Sequence, residues 1–186
     1  MSARQIPACA EGLQLRLRLV TPEDAAYLHG LRTDPRHNTH LSPVSGTVAD
    51  QRAWIERYKR REAEGLEAYY IIERRDGTHC GTVRLYDIHG DRFTWGSWIL
   101  DANKPPKAAL ESAILSFDIA FGPLGLRTAS IDARRQNETA LRFYRRFGAT
   151  ETGTDDLNVY FTYTRDRFIA DRPTHLAVVQ SAACTA

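Results

Sequence analysis

Cysteine is scarce in this chain. Cys9, Cys80 and Cys184 are odd in number and far apart, which excludes a disulfide framework and offers no metal-ligand spacing. Such usage fits a reducing compartment. Long apolar runs are missing as well: no early stretch reads as a secretion signal, and none is long enough to cross a bilayer. The expectation is a cytoplasmic protein with no membrane partner and no metal. Charge of one sign is also lacking. The 25 Lys+Arg and 23 Asp+Glu leave a net charge of +2, whereas a nucleic-acid binder needs a strong basic bias. Repeats and low-complexity segments are absent. What remains is 186 residues of ordinary apolar and charged content, enough for one domain with a sizeable core.

Residues 1–12 read as a loose N-terminal arm. Leu13, Leu15, Leu17 and Leu19 alternate with Gln14, Arg16 and Arg18, the pattern of a strand with one buried face. Thr21-Pro22-Glu23-Asp24 opens a helix, with a capping threonine, a proline in the first turn and two acids after it. Leu28 and Leu31 carry its apolar side, and Asp34-Pro35 ends it. Residues 36–46 hold His37, His40, Pro43 and Gly46, have no period and are expected as a loop. Residues 47–65 give a second helix capped by Thr47, with Val48, Trp54, Ile55 and Tyr58 inward. Residues 67–75, 78–87 and 93–100 form a meander, turned first at Asp76-Gly77 and then at His89-Gly90-Asp91. Residues 104–121 are a third helix with the stripe Leu110, Ala113, Ile114, Phe117 and Phe121. Residues 127–133 and 158–167 alternate like strands. Residues 171–186 read as a C-terminal tail, because Pro173 and the final small residues argue against a core role. The expected fold class is α/β (α+β): a mostly antiparallel central sheet flanked by helices, with one parallel step, over residues 13–170.

The segment 137–148 is the most informative. Asn137 stands where a helix should begin. Ala140, Leu141, Tyr144 and Phe147 recur at helical spacing, and Gly148 follows the last aromatic, where a left-handed terminus is wanted. The residues just before it alternate like a strand end. The basic run Arg142, Arg145 and Arg146 is either a solvated helix face or part of a rim for an anionic ligand.

The spacing Asn-x-x-Ala-x-x-x-Tyr-x-x-x-Gly resembles the last motif of the GNAT N-acetyltransferase superfamily, and the element order over residues 13–167 is similar to the layout of that family. The Asp34-Pro35 stop, the two-helix opening and the Trp54-Ile55 pair resemble the branch that acetylates ribosomal-protein N-termini and amino sugars. The resemblance implies acetyl-CoA as co-substrate. The family's pyrophosphate signature, Gln/Arg-x-x-Gly-x-Gly/Ala, aims backbone N–H groups and a helix N-terminus at phosphates. This chain has Lys104-Pro105-Pro106-Lys107-Ala108-Ala109 instead, with Lys107 at the glycine position. Either the loop is reshaped but still binds CoA, or the site is lost.

The resemblance assigns Tyr144 as the acid for the leaving thiolate, since a phenol with a pKa near 10 is protonated at neutral pH. It assigns the oxyanion donor to a backbone N–H of Trp98, Ile99 or Leu100, and the CoA contacts to Lys104, Lys107, Ala108, Ala109 and Asn137. The base is open among His40, Asp87, His89 and water. His37, Asp87, His89 and Trp95 are candidate acceptor contacts, Trp95 being core filler in the alternative. The expected function is acetyl transfer to a primary amine of a small acceptor, with a nucleotide-linked amino sugar ahead of an amino acid. The alternatives are acetylation of a protein N-terminus and a non-catalytic metabolite-binding module. A homodimer is left open.

Overall fold

The structure, a computed structural model, describes residues 4–40 and 45–183. Pro43 and Cys184 therefore lie outside the described residues. The elements run β1 (Cys9–Glu11), β2 (Leu15–Leu19), a 3₁₀ turn (Pro22–Asp24), α1 (Ala25–Thr33), α2 (Pro35–Asn38), α3 (Val48–Ala63), β3 (Ala68–Arg74), β4 (His79–His89) and β5 (Arg92–Leu100). They continue with α4 (Ala108–Phe121), β6 (Thr128–Arg134), α5 (Glu138–Phe147), β7 (Thr150–Thr154), β8 (Asn158–Thr164) and α6 (Arg165–Ala183). One eight-stranded sheet has the order β1-β2-β3-β4-β5-β6-β8-β7. Every pairing is antiparallel except β5 with β6. The mixed α/β expectation and the single parallel step both hold.

Helices cover the two faces of the sheet differently. Tyr69 and Ile71 of β3 pack with Leu28 of α1 and with Ile55 and Tyr58 of α3. Tyr70 and Ile72, pointing the other way, join the larger core with Phe117 of α4, Tyr144 of α5 and Phe168 of α6. Burial on both faces explains why β3 reads as a continuous apolar run rather than an alternation.

Five expectations need correction. The loop expected over residues 36–46 begins with a helical turn, α2, capped by the Asp34 side chain with Pro35 in its first position. Cys9–Glu11 is not a loose arm but a short strand paired with β2. Leu13 and Val48 are exposed, because each lies just outside the sheet or core-facing helix stripe it was assigned to. The third helix starts at Ala108 rather than 104, since two prolines and a left-handed Lys107 precede it. The tail is a helix. Phe168, Arg172, His175, Leu176 and Val179 recur at helical spacing; Phe168 and Val179 are buried. The His175 ring stacks on Phe147 at 4.6 Å, and Arg172 grips Asp118 of α4 at 2.7 and 2.9 Å. Packing outweighs the roughly 3 kcal/mol that Pro173 costs inside a helix.

An ion cluster ties the first half together. Arg18 on β2 forms a fork with Asp24 at 2.7 and 2.8 Å and reaches Glu73 of β3 at 2.7 Å. Burial raises the Asp24 carboxyl, but the Arg18 fork and the Thr21 N–H outweigh it, so the net pKa is below the ordinary value. Because the folded pKa lies below the unfolded value near 3.9, the stability Asp24 contributes is complete above that value. It is lost as pH falls through the folded pKa. Asp24→Asn is therefore expected to lower the unfolding free energy at pH 7 by about 3 kcal/mol and to flatten its decline in acid. Urea unfolding across pH checks this; an acid limb as steep as wild type would remove Asp24 from the account.

Candidate active site

β5 pairs with β6 only from Arg92 to Thr94. Between the pairs Thr82↔Ile99 and Arg84↔Gly96, β5 carries one residue more than β4, which is a β-bulge. Ser97 sits there at φ +47, its carbonyl accepting the Thr82 hydroxyl at 3.0 Å. The bulge reverses the side-chain alternation, so Trp95 and Trp98 fall on the same face with ring centroids 5.0 Å apart. Their indole N–H groups donate to Ser116 and Ser112, one turn apart on α4, at 2.8 and 3.1 Å. Beyond the bulge, residues 97–100 have β4 on one side and no strand on the other.

The N-terminus of α5 faces that open edge. Asn137 Oδ1 accepts the Ala140 N–H at 3.1 Å, and Gly148 closes the helix at φ +99, as its glycine identity suggested. Two voids meet here. A cavity of about 310 Å³ is lined by Tyr144, Asp132, Tyr86, Arg32, Arg134 and Asn158 among others. A groove of about 370 Å³ runs along Trp98, Ile99 and Leu100 against Ala109, Thr139 and Phe143. His40, Trp98, Asn137 and Ala140 line both.

Tyr144 is 6% exposed. The edge of Trp95 and the ring of Phe161 hold it, at 5.9 and 5.6 Å. Its hydroxyl has no hydrogen-bond partner among the described residues, although Tyr144 lines the cavity. Burial, helped by Asp132 and Tyr86, pushes its pKa well above the phenol value of 10.0, so it is a proton donor throughout the neutral range. Asp132, on β6, was not singled out from the sequence. Burial raises its carboxyl above the ordinary range, against the pull of Arg134. The available signal was its place: an acid on the outward phase of the strand that runs directly into the tyrosine helix.

At the head of α4, Lys107 adopts φ +62. This is a left-handed residue, which glycine occupies freely and lysine at a cost of about 1 kcal/mol. The N–H groups of Lys107, Ala109 and Leu110 have no acceptor among the described residues. Ala108 is different. It is buried and its N–H donates to the Pro105 carbonyl at 3.2 Å, so it offers nothing to a ligand. Lys104 and His37 line the groove. Lys107 and Arg146 line a hollow of about 390 Å³ farther along, whereas Arg145 is bound to Glu151.

The other candidates are not brought in. Trp95 is 1% exposed, with its N–H committed to Ser116; it is core, and the stacking role is withdrawn. Asp87 and His89 are exposed on the β4–β5 hairpin and line neither void. Among the described residues no group of three or more His, Cys, Asp or Glu could hold a metal ion.

A family model for the acetyltransferase (GNAT) domain matches residues 14–150. The chain belongs to the GNAT acetyltransferase family. A search of curated proteins finds no match. Among solved structures, this GNAT chain is similar to apo FdhC, described as a nucleotide-linked sugar GNAT. The two share 36% identity with a TM-score of 0.81, over 87% of this chain and 93% of that one. The fold is also that of the spermidine N-acetyltransferase from Vibrio cholerae solved with CoA and spermine (16% identity, TM-score 0.73, 85% and 99% covered). A ribosomal-protein-S5-alanine acetyltransferase from Vibrio fischeri is alike at 14% identity and TM-score 0.73, with 86% and 98% covered.

The left-handed turn gives a direct test. Lys107→Gly is expected to leave the unfolding midpoint unchanged or higher. Lys107→Val, β-branched, is expected to be less stable than the glycine variant by about 1–2 kcal/mol. Equal stabilities in urea would mean that residue 107 is not left-handed in solution.

Proposed function

We propose that this GNAT protein transfers an acetyl group from acetyl-CoA directly to a primary amine of a small acceptor, and that the acceptor is a nucleotide-linked amino sugar. The observation that carries the reading is the unpaired, protonated hydroxyl of Tyr144 in a cavity continuous with the groove along β5. The 36% identity to a nucleotide-linked sugar GNAT supports the acceptor class. The polar lining of the cavity suits a polar acceptor. Two free thiols, Cys9 and Cys80, fit a reducing cytoplasm.

The residues present suit acetyl-CoA. Three free N–H groups at the head of a 14-residue helix, with Lys107 beside them, suit a pyrophosphate. The open edge of β5 offers unpaired backbone groups to the amides of an extended pantetheine arm. When bound, acetyl-CoA supplies the thioester carbonyl and the departing thiolate. Asp132 and His40 line the cavity from different elements, and Asp132, the carboxylate coupled to Tyr144, binds the acceptor ammonium and removes its proton. The amine lone pair then forms the new C–N bond while the C–S bond breaks. A backbone N–H of Trp98, Ile99 or Leu100 donates to the carbonyl oxygen as charge builds on it. Tyr144 gives its proton to the sulfur, and the second proton that the nitrogen loses on becoming an amide restores the Tyr144 phenol.

Calorimetry with acetyl-CoA is expected to give micromolar binding, and Lys107→Glu is expected to weaken it, more so at low salt. No binding at millimolar ligand would favour a non-catalytic module instead. Tyr144→Phe and Asp132→Asn are each expected to lower kcat by about 100-fold with little change in the KM for acetyl-CoA, read as thiol release. An unchanged kcat in either variant would remove that residue from its role.

A further inference from the structure

A second void of about 340 Å³ lies between α1 and α3, lined by His29, Arg32, Gln51, Trp54 and Arg57, with Ser45, Thr47 and Asp50 at its edge. Arg32 lines both this void and the Tyr144 cavity, so the two chambers share a guanidinium wall. Most arginines near it are committed: Arg18 to Asp24 and Glu73, Arg36 to Asp34, Arg61 and Arg84 to Glu67. Arg32 and Arg57 have no carboxylate within ion-pair distance among the described residues. Gln51 is 9% exposed, lines the void, and its side-chain amide has no hydrogen-bond partner among the described residues. The Gln51 amide and the two guanidinium groups are therefore open to a polar guest in the void.

The acid on the rim offsets only one of the two guanidinium charges. Asp50 accepts the Thr47 N–H at 2.7 Å and the Thr47 hydroxyl at 2.9 Å. Those bonds come first among the causes that hold its carboxyl below the ordinary range, with Arg57 and His29 adding to them. Its oxygen Oδ2 is held at the α3 cap. His29 Nε2 lies 3.0 Å from the Gly46 carbonyl, so its proton is held there. The surplus is positive.

We infer that the Arg32–Gln51–Arg57 chamber receives the phosphate or diphosphate of the acceptor, while its amine lies across Arg32 beside Asp132 and Tyr144. The inference rests on the acetyltransferase reading and assigns the acceptor class to specific side chains. Arginine forks and an amide donor match phosphate oxygens. The same positive wall opposes a polyamine, so the pair of chambers selects an acceptor that is cationic at one end and anionic at the other.

The full-length protein is titrated calorimetrically with uridine 5′-diphosphate, thymidine 5′-diphosphate, inorganic pyrophosphate, spermidine and, separately, acetyl-CoA. A nucleoside diphosphate is expected to bind and spermidine not. Arg32→Gln with Arg57→Gln is expected to weaken the diphosphate by about tenfold or more and to leave acetyl-CoA affinity unchanged. Arg57→Gln alone, at an exposed position, is expected to keep the fold and show a smaller loss in the same direction. Wild-type protein that binds acetyl-CoA but no diphosphate at millimolar concentration overturns the inference and leaves the enzyme standing, as does equal diphosphate affinity in the double variant. Diphosphate binding that depends on Arg32 without any acetyl-CoA binding upholds the chamber and overturns the catalytic reading.

Discussion

The parting of β5 from β6 after Thr94 is the constraint on which the site depends. In a fully paired sheet the backbone of residues 97–100 would be occupied on both sides and there would be no groove. The extra residue at Ser97 turns the end of β5 aside, and β6 runs straight into α5 instead of continuing alongside. Two helix heads, those of α4 and α5, then face the same gap. Both present free or capped N–H groups to it, so the opening has a positive character before any side chain is counted.

Such a gap would collapse without support behind it. The support is aromatic: Trp95 stacks on Phe117 at 5.4 Å, Phe117 on Phe147 at 5.5 Å, and Phe147 on His175 at 4.6 Å. Trp98 and Trp95 are pinned to α4 through their indole nitrogens. Tyr144 stands at the end of this stack with its ring fixed and only its oxygen facing the void. A proton donor held this way needs little reorganisation when charge develops nearby. α6 belongs to the same support, through His175 and Phe168, so the C-terminal helix steadies the reactive side although it lies behind it.

Much of this was legible in the residues. The run from Asn137 to Gly148 carries its own start, stripe and stop, and the structure has all three. The turn at Asp76-Gly77 and the Asp34-Pro35 stop are local chemistry and hold for the same reason. What was not legible depends on long-range geometry. A bulge cannot be read from Gly96-Ser97-Trp98, and Trp95, open in the sequence between acceptor contact and core filler, is core. Asp132 looks like any solvent-facing strand residue until the fold sets it in the cavity that Tyr144 also lines. α6 was missed because a proline outweighed a helical spacing that only tertiary packing makes decisive. Ala108 stands at a variable position of the family signature, and the turn at Pro105 consumes its N–H.

The outer margins of the sheet differ from this inner one. β1 offers three residues, and β7 is polar, exposed along its length and interrupted by a register shift between Glu151 and Gly153. Short and bulged edges are poor templates for another chain. The unpaired edge at the end of β5 is an internal one, and the groove of about 370 Å³ along it has room for a slender flexible guest. The protein thus keeps this adhesive border indoors, and the recess itself filters what adheres by thickness before chemistry is consulted.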